Sequence, residues 1–89
     1  IPVTTRLNQN YPNPFNPRTV IRFQVTGNSD VLLKVYDVTG REVLTLVNGH
    51  MQAGTYSVTF NGTGLSSGVY FYKMTANDFS ETKKFHLIK

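Results

Sequence analysis

The sequence contains no cysteine, so neither a disulfide framework nor a thiolate metal site is available to stabilise it. Long apolar runs are also missing, and the longest, residues 69–72, falls far short of the roughly 20 residues that cross a bilayer. The chain opens on a polar, proline-containing stretch rather than a signal peptide. We therefore expect no direct membrane span, and we expect any N-terminal export signal to lie upstream of Ile1.

Carboxylates are scarce, and each one falls in or beside a predicted turn. They are Asp30, Asp37, Glu42, Asp78 and Glu81. Acid–base catalysis needs groups that converge, and these do not. His50 and His86 have no cysteine or histidine close by for a zinc site, and Ser66 and Ser67 lack the strand–elbow–helix context of a nucleophile. Sparse carboxylates also disfavour calcium. The sequence predicts no catalytic site, no metal and no cofactor.

The basic residues are too few and too scattered for nucleic acid. Nine Lys and Arg oppose five Asp and Glu, which gives a net charge of +4, and clustering occurs only near the C-terminus. This pattern is not that of a nucleic-acid-binding surface. Eighty-nine residues predict one small domain, with a first strand and an entry region over residues 1–18 and core strands over residues 19–89.

Apolar residues alternate with polar ones along most of the chain, which predicts β-strands. The predicted strands cover residues 4–8, 19–25, 31–37, 41–47, 55–60, 68–74 and 79–88. Glycine-rich connections at residues 48–54 and 61–68 separate several of them, and no helical period is present. About seven short strands at this spacing predict an immunoglobulin-like antiparallel β-sandwich. A small barrel is the alternative, since periodicity does not separate the two.

Two local patterns refine this prediction. Asp37 and Gly40 occupy the first and fourth positions that a type I turn favours, so we expect a hairpin that continues from Arg41. The run that begins Gly68, Val69, Tyr70 is apolar on both faces and predicts a central strand.

The stretch NQNYPNPFNPRT, residues 8–19, contains three prolines and four asparagines. Proline fixes its own φ, offers no N–H and keeps the preceding residue extended, so this stretch is neither helix nor central strand. We call residues 8–17 the entry segment and predict that it is rigid, with aromatic side chains that hold it over one end of the core. Its structural residues are predicted to be Tyr11, Asn13, Pro14, Phe15, Asn16 and Pro17.

The chain resembles a known family in five blocks that occur in order. They are NYPNPFNPRTVIRFQV, VLLKVYDVTGREVLTL, AGTYSVTFNG, LSSGVYFYKM and KKFHLIK. Together they closely resemble the type A C-terminal sorting domain of proteins exported by the bacterial type IX secretion system. Some middle blocks also resemble the immunoglobulin-like domain of a flagellar-hook capping protein. The pairing of YPNPFNP with the terminal KK and LIK is more specific to the sorting family.

The resemblance implies a function for the chain. A sorting domain of this family ends a larger secreted protein, which passes through the periplasm. The implied partners are the type IX translocon with its outer-membrane shuttle and surface peptidase. The cargo would then reach the cell surface, attached to lipopolysaccharide, or the medium.

The last strand is the predicted recognition element. A strand that ends the chain is able to lie at a sheet edge, where free N–H and C=O groups accept a partner strand, a second copy included. Its lysines are suited to steer the strand toward an acidic receptor, although preventing aggregation is an alternative role for them. The predicted recognition residues are Lys83, Lys84, Phe85, Leu87 and Lys89.

Two rival functions stay open at this stage. Tyr36, Tyr70 and Tyr72 would form a sugar-stacking platform if they were exposed, as in a carbohydrate-binding module. Packing of Tyr70 and Tyr72 between the sheets is the simpler interpretation. The other rival is a purely structural immunoglobulin-like spacer.

Overall fold

The computed structural model describes residues 5–88, which form two antiparallel β-sheets. The seven strands are β1 (Arg6–Leu7), β2 (Arg18–Val25), β3 (Ser29–Tyr36), β4 (Glu42–Met51), β5 (Gly54–Asn61), β6 (Gly68–Ala76) and β7 (Phe79–Leu87). One sheet has the order β1-β2-β5 and the other β4-β3-β6-β7. The predicted sandwich is therefore confirmed, and the described strands do not close into a barrel. This part of the chain also holds no helix long and apolar enough to cross a membrane.

The core lies between the two sheets, and the period-two pattern fills it. On β2 every second side chain from Thr19 to Val25 is buried, and on β3 the same holds from Ser29 to Val35. Because successive side chains of a strand point to opposite faces, each strand gives one face to the core and one to solvent. The largest fully buried side chains are Tyr72, Phe15, Phe23, Phe60 and Phe85.

Central strand β6 begins at Gly68 and lies between β3 and β7, as predicted. Tyr70 and Tyr72 are buried on its inner face, so neither ring is available as a sugar platform. Tyr36 on β3 is half-buried on the outer face, opposite Phe71 of β6.

Strand β4 is longer than predicted, because residues 48–51 continue it instead of forming a loop. These residues pair with residues 29–32 of β3, and the bend leaves only positions 52 and 53 outside a strand. Register shifts between Leu33 and Lys34 and between Val35 and Tyr36 disturb the alternation along β4. Both shifts lie within residues 42–47. Residues 48–51 were expected to form a loop because Asn48 and Gly49 are typical of a turn, and because residues 48–50 are all exposed, so no buried face marks the strand there.

The β3–β4 hairpin turn has the predicted chemistry. The Gly40 N–H donates to the Asp37 carbonyl at 3.0 Å, and Gly40 has a φ of 89°, which favours glycine. The Asp37 carboxylate accepts from the N–H groups of Thr39 and Arg41 at 2.9 and 3.0 Å. The Thr39 hydroxyl and the Arg41 N–H hold the pKa of the Asp37 carboxyl below its usual value.

Candidate recognition site

Strand β7 is an edge strand that pairs with β6 on one side. Near the end of the strand its side chains alternate strictly between exposed and buried. Phe85 and Leu87 point into the core and are 1% and 0% exposed, whereas Lys84 and His86 point outward and are exposed. The strand therefore offers a partner its outward face and any part of its edge that is open.

The structure separates the predicted recognition residues into different environments. Phe85 and Leu87 are core residues that a partner does not reach while the domain stays folded. Lys83 forms an ion pair with Glu81, with 3.0 Å between Nζ and Oε2. Lys84 is exposed, and no ion pair within residues 5–88 involves it. Lys89 lies outside the described residues.

The end of the β7 edge is covered by the entry segment. Phe15 forms a parallel bridge with Leu87. The Phe15 N–H donates to the His86 carbonyl at 3.0 Å, and the Ile88 N–H donates to the Phe15 carbonyl at 2.9 Å. The chain itself therefore satisfies backbone groups of this edge that a partner strand would need.

Side chains of the entry segment extend this cover. The His86 N–H donates to Asn13 Oδ1 at 3.1 Å, and Gln9 Nε2 donates to the Lys84 carbonyl at 2.8 Å. The backbone N–H and C=O groups of successive residues on an antiparallel edge point alternately toward and away from the neighbouring strand. Those of Thr82, two residues before Lys84, therefore also point away from β6. No second strand of the described chain pairs with β7 at Thr82 or before it. Only the first half of β7 is an open edge.

Phe15 holds the entry segment by its ring as well as by its backbone. The ring is 1% exposed and stacks on Phe85, with 5.1 Å between the centroids. It also meets Phe60 edge to face at 5.8 Å. Tyr11 differs from Phe15. The backbone N–H of Tyr11 donates to the Val20 carbonyl and its carbonyl accepts from the Val20 N–H, but its side chain is 81% exposed. The expectation that both rings cover the core is wrong for Tyr11.

A second fixing point is the Tyr72 hydroxyl, which sequence reasoning did not identify. It accepts from the Asn10 N–H at 2.8 Å and donates to the Asn8 carbonyl at 2.7 Å. Burial raises the pKa of the Tyr72 phenol to about 12. A buried tyrosine needs a hydrogen-bond partner for its hydroxyl. This requirement is the feature of the sequence that could have pointed to a contact of Tyr72 with another segment.

Asn10 and Thr19 complete this fixing point. Asn10 Nδ2 donates to the Pro12 carbonyl and to Thr19 Oγ1, both at 3.0 Å, and the Thr19 hydroxyl donates to the same carbonyl at 2.8 Å. Asn10 and Thr19 are both buried. The entry segment is thus joined to β6, β7 and β2 by specific bonds.

The outward face around Lys84 is aromatic and basic. In register, Tyr36 of β3 lies opposite Phe71 of β6, and Phe71 lies opposite Lys84. A shallow pocket of about 110 Å³ adjoins them and is lined by Asn13, Val69, Lys84, Phe85 and His86. This surface is suited to docking a partner. Over residues 5–88 no group of three or more His, Cys, Asp or Glu side chains is placed to hold a metal ion.

A family model named the secretion system C-terminal sorting domain, Por_Secre_tail, matches residues 9–89. The chain belongs to this family. A sorting domain of this kind is a C-terminal secretion signal for the type IX system, and it implies export to the cell surface or medium. It acts with the secretion machinery, and sorting-signal domains are typically non-catalytic.

Two solved structures share the fold of this sorting domain. Dimeric latent PorU from Porphyromonas gingivalis matches with a TM-score of 0.73 at 17% identity, over 97% of this chain and 10% of that one. PorZ, an essential surface component of the type IX secretion system of the same bacterium, matches with a TM-score of 0.63 at 23% identity, over 96% and 11%. The sorting domain thus spans about a tenth of each. No curated protein sequence matches it significantly.

The two sequence motifs most specific to the sorting domain meet in space. Phe15 of YPNPFNP stacks on Phe85 of KKFHLIK, and Asn13 bonds His86. The start and the end of the matched region therefore form one structural unit at the edge of the four-stranded sheet.

Proposed function

We propose that this sorting domain is a single non-catalytic unit at the end of a larger secreted protein. It crosses the periplasm folded and is recognised by the translocon, an outer-membrane shuttle and a surface peptidase. Support comes from the family match over residues 9–89 and from a core that unites the entry segment with the last strand. Because the domain spans about a tenth of PorU or PorZ, the cargo would supply the rest of such a protein.

Recognition takes place on the outward face of β7, at Lys84. The observation that carries this proposal is the environment of Lys84: an exposed ammonium without an ion-pair partner within residues 5–88, next to Phe71 and the pocket at His86. A charged rim around an aromatic centre is typical of protein interfaces. An acidic receptor surface would complement it.

The other predicted residues contribute indirectly. Phe85 and Leu87 hold β7 in the sheet by packing, and Lys83 neutralises Glu81 beside them. Lys89 stays a predicted recognition residue. A weak homodimer through β7 would use the open first half of the strand, since the entry segment occupies the second half.

An export assay tests this proposal without destroying the fold. A fluorescent reporter with an inner-membrane signal peptide carries Ile1–Lys89 at its C-terminus in a bacterium with a type IX system. Deleting the end of β7 would remove Phe85 and Leu87 from the core, so we use Lys84→Glu instead. Arg18→Glu, an exposed residue on the other sheet, is the control with the same change of net charge.

We expect translocon-dependent surface or medium reporter for the parent and for Arg18→Glu, and periplasmic reporter for Lys84→Glu with its domain still protease-resistant. Equal export of the two variants would show that recognition does not use Lys84. Retention of the folded parent in the periplasm would contradict the export function itself.

A further inference from the structure

Charge is segregated between the two sheets. Strands β1 and β2 carry Arg6, Arg18 and Arg22, all exposed, and the three-stranded sheet contains no carboxylate. All five carboxylates of the chain lie on the strands or in the turns of the four-stranded sheet. The ion pairs among residues 5–88 involve none of these three arginines.

The arginines are spread along a line rather than gathered around a point. Arg18 and Arg22 are four residues apart on one strand, which separates their Cα atoms by about 13 Å. Arg6 lies on the neighbouring strand opposite Gln24, two residues beyond Arg22. This spacing suits an extended ligand with repeated anionic groups, and it does not suit a single small anion.

Hydrogen-bonding side chains lie beside the arginines on β5. They are the outward, exposed residues Thr55, Ser57, Thr59 and Asn61. In register, Ser57 lies opposite Arg22 and Asn61 opposite Arg18. The row offers hydroxyls and an amide between the cationic positions.

An exposed aromatic ring stands at the same face. A depression of about 250 Å³ is lined by Asn8, Gln9, Tyr11, Val20 and Arg22. The Tyr11 ring, which the core does not use, is 81% exposed at this depression. An aromatic face beside amide side chains and a guanidinium is able to stack on a ring and bind its substituents.

We propose that the outward face of the three-stranded sheet binds an acidic glycan, an extended saccharide that carries carboxylate or phosphate groups. Arg6, Arg18 and Arg22 bind the acidic groups through the paired N–H donors of their planar guanidinium groups. Tyr11 stacks on a sugar ring, and the β5 row hydrogen-bonds hydroxyls. This function is separate from export, and its surface faces away from Lys84.

A glycan fits this face better than a protein does. Protein interfaces are centred on a desolvated apolar core, and here Val20 and Tyr11 are the apolar side chains of the outward surface. The rest is hydroxyl, amide and guanidinium, which matches a polar, repeated ligand.

Titration calorimetry on the purified domain tests the proposal with defined probes. The acidic probes are an oligogalacturonate and a phosphorylated maltodextrin, and their neutral counterparts are the methyl-esterified oligogalacturonate and plain maltodextrin. Poly-L-glutamate tests for attraction to any polyanion. The variants are Arg22→Gln and Tyr11→Ala, with Lys73→Gln, at an exposed position of β6, as the control that removes one charge from the other sheet.

We expect binding of at least one acidic saccharide, no binding of its neutral counterpart, and weaker binding of poly-L-glutamate. Arg22→Gln should lower the affinity about tenfold, the effect of one charge-assisted contact, and Tyr11→Ala should lower it as well. Lys73→Gln should leave the affinity unchanged. No binding of either acidic saccharide, equal binding of poly-L-glutamate, or an equal loss in Lys73→Gln would overturn the proposal.

Discussion

Phe15 and Leu87 form a parallel bridge that joins the entry segment to the last strand. Phe15 uses both its N–H and its carbonyl in this contact, and its ring stacks on Phe85 in the core. The proline- and asparagine-rich stretch is therefore an integral part of the sandwich, and the following predictions test how it is held.

The two aromatic residues of the entry segment should differ sharply in their effect on stability. Phe15→Ala removes a fully buried ring and should cost about 3–5 kcal/mol of unfolding free energy. Tyr11→Ala removes an exposed ring and should change it by less than about 0.5 kcal/mol. Urea unfolding of both variants measures this, and similar losses would contradict the two environments described above.

Tyr72→Phe should weaken the attachment of the entry segment without creating a cavity in the core. The change removes the partner of the Asn10 N–H and of the Asn8 carbonyl, and should cost about 1–3 kcal/mol. Tyr70→Phe is the matched control, since the Tyr70 hydroxyl makes one bond, to the carbonyl of exposed Ser66. We expect a smaller loss of Tm for the control. A loss as large as that of Tyr72→Phe would argue against a special role for Tyr72.

The Tyr72 hydroxyl should also make the stability of the domain fall as the pH becomes alkaline. The pKa of Tyr72 is about 12 in the folded domain, above the ordinary value near 10. Its contribution is therefore complete below pH 10 and is lost as the pH rises from about 10 to 12. Thermal unfolding over this range should show a steeper fall of Tm for the parent than for Tyr72→Phe. Parallel curves would rule out the coupling.

Asn13 should protect one amide of the β7 edge. Asn13→Ala leaves the His86 N–H without its acceptor, so its hydrogen exchange should accelerate roughly fivefold to tenfold. The Ile88 amide, held by the Phe15 carbonyl, should change less. Asn16→Ala, at an exposed position of the same segment, serves as the control. Unchanged exchange at His86 would show that the side-chain bond does not protect it.

The hairpin turn should weaken in acid. Hydrogen bonds from Thr39 and Arg41 hold the pKa of Asp37 below its ordinary value, so its stabilising effect is present above pH 4 and is lost as the pH falls through the lower, folded pKa. Asp37→Asn keeps the acceptor oxygen and removes the titration. Acid unfolding curves should therefore converge at low pH, and a constant offset between parent and variant would be the contrary result.

Strand positions were predictable where one face is buried and the other solvated. On β2 and β3 the strict alternation of Ile21, Phe23 and Val25, or of Val31, Leu33 and Val35, identified both the strand and its inner face. The turn at Asp37 was equally predictable, because its chemistry is local. The end of β4 was not, because Asn48 and Gly49 are typical of a turn and residues 48–50 are all exposed, so no buried face marks the strand there.

The arrangement of the candidate site was less predictable, because it rests on contacts between distant positions. Nothing local distinguishes Tyr11 from Phe15, yet one ring is exposed and the other buried. That β7 is able to lie at a sheet edge was expected because it is the last of the predicted strands. That Asn13 and Phe15 would occupy that edge depends on tertiary packing, which no local pattern encodes.

The bridge between the entry segment and β7 also has a mechanical consequence. Gln9, Asn13 and Phe15 contact Lys84, His86 and Ile88 in the same order, so the two segments run in the same direction. A force that pulls a cargo upstream of the entry segment away from the C-terminal end of β7 would load these hydrogen bonds together, in shear. They would have to fail together, whereas an antiparallel pair of ends would unzip one bond at a time. The connection between a cargo and the sorting domain would therefore resist tension if the two were pulled apart during export.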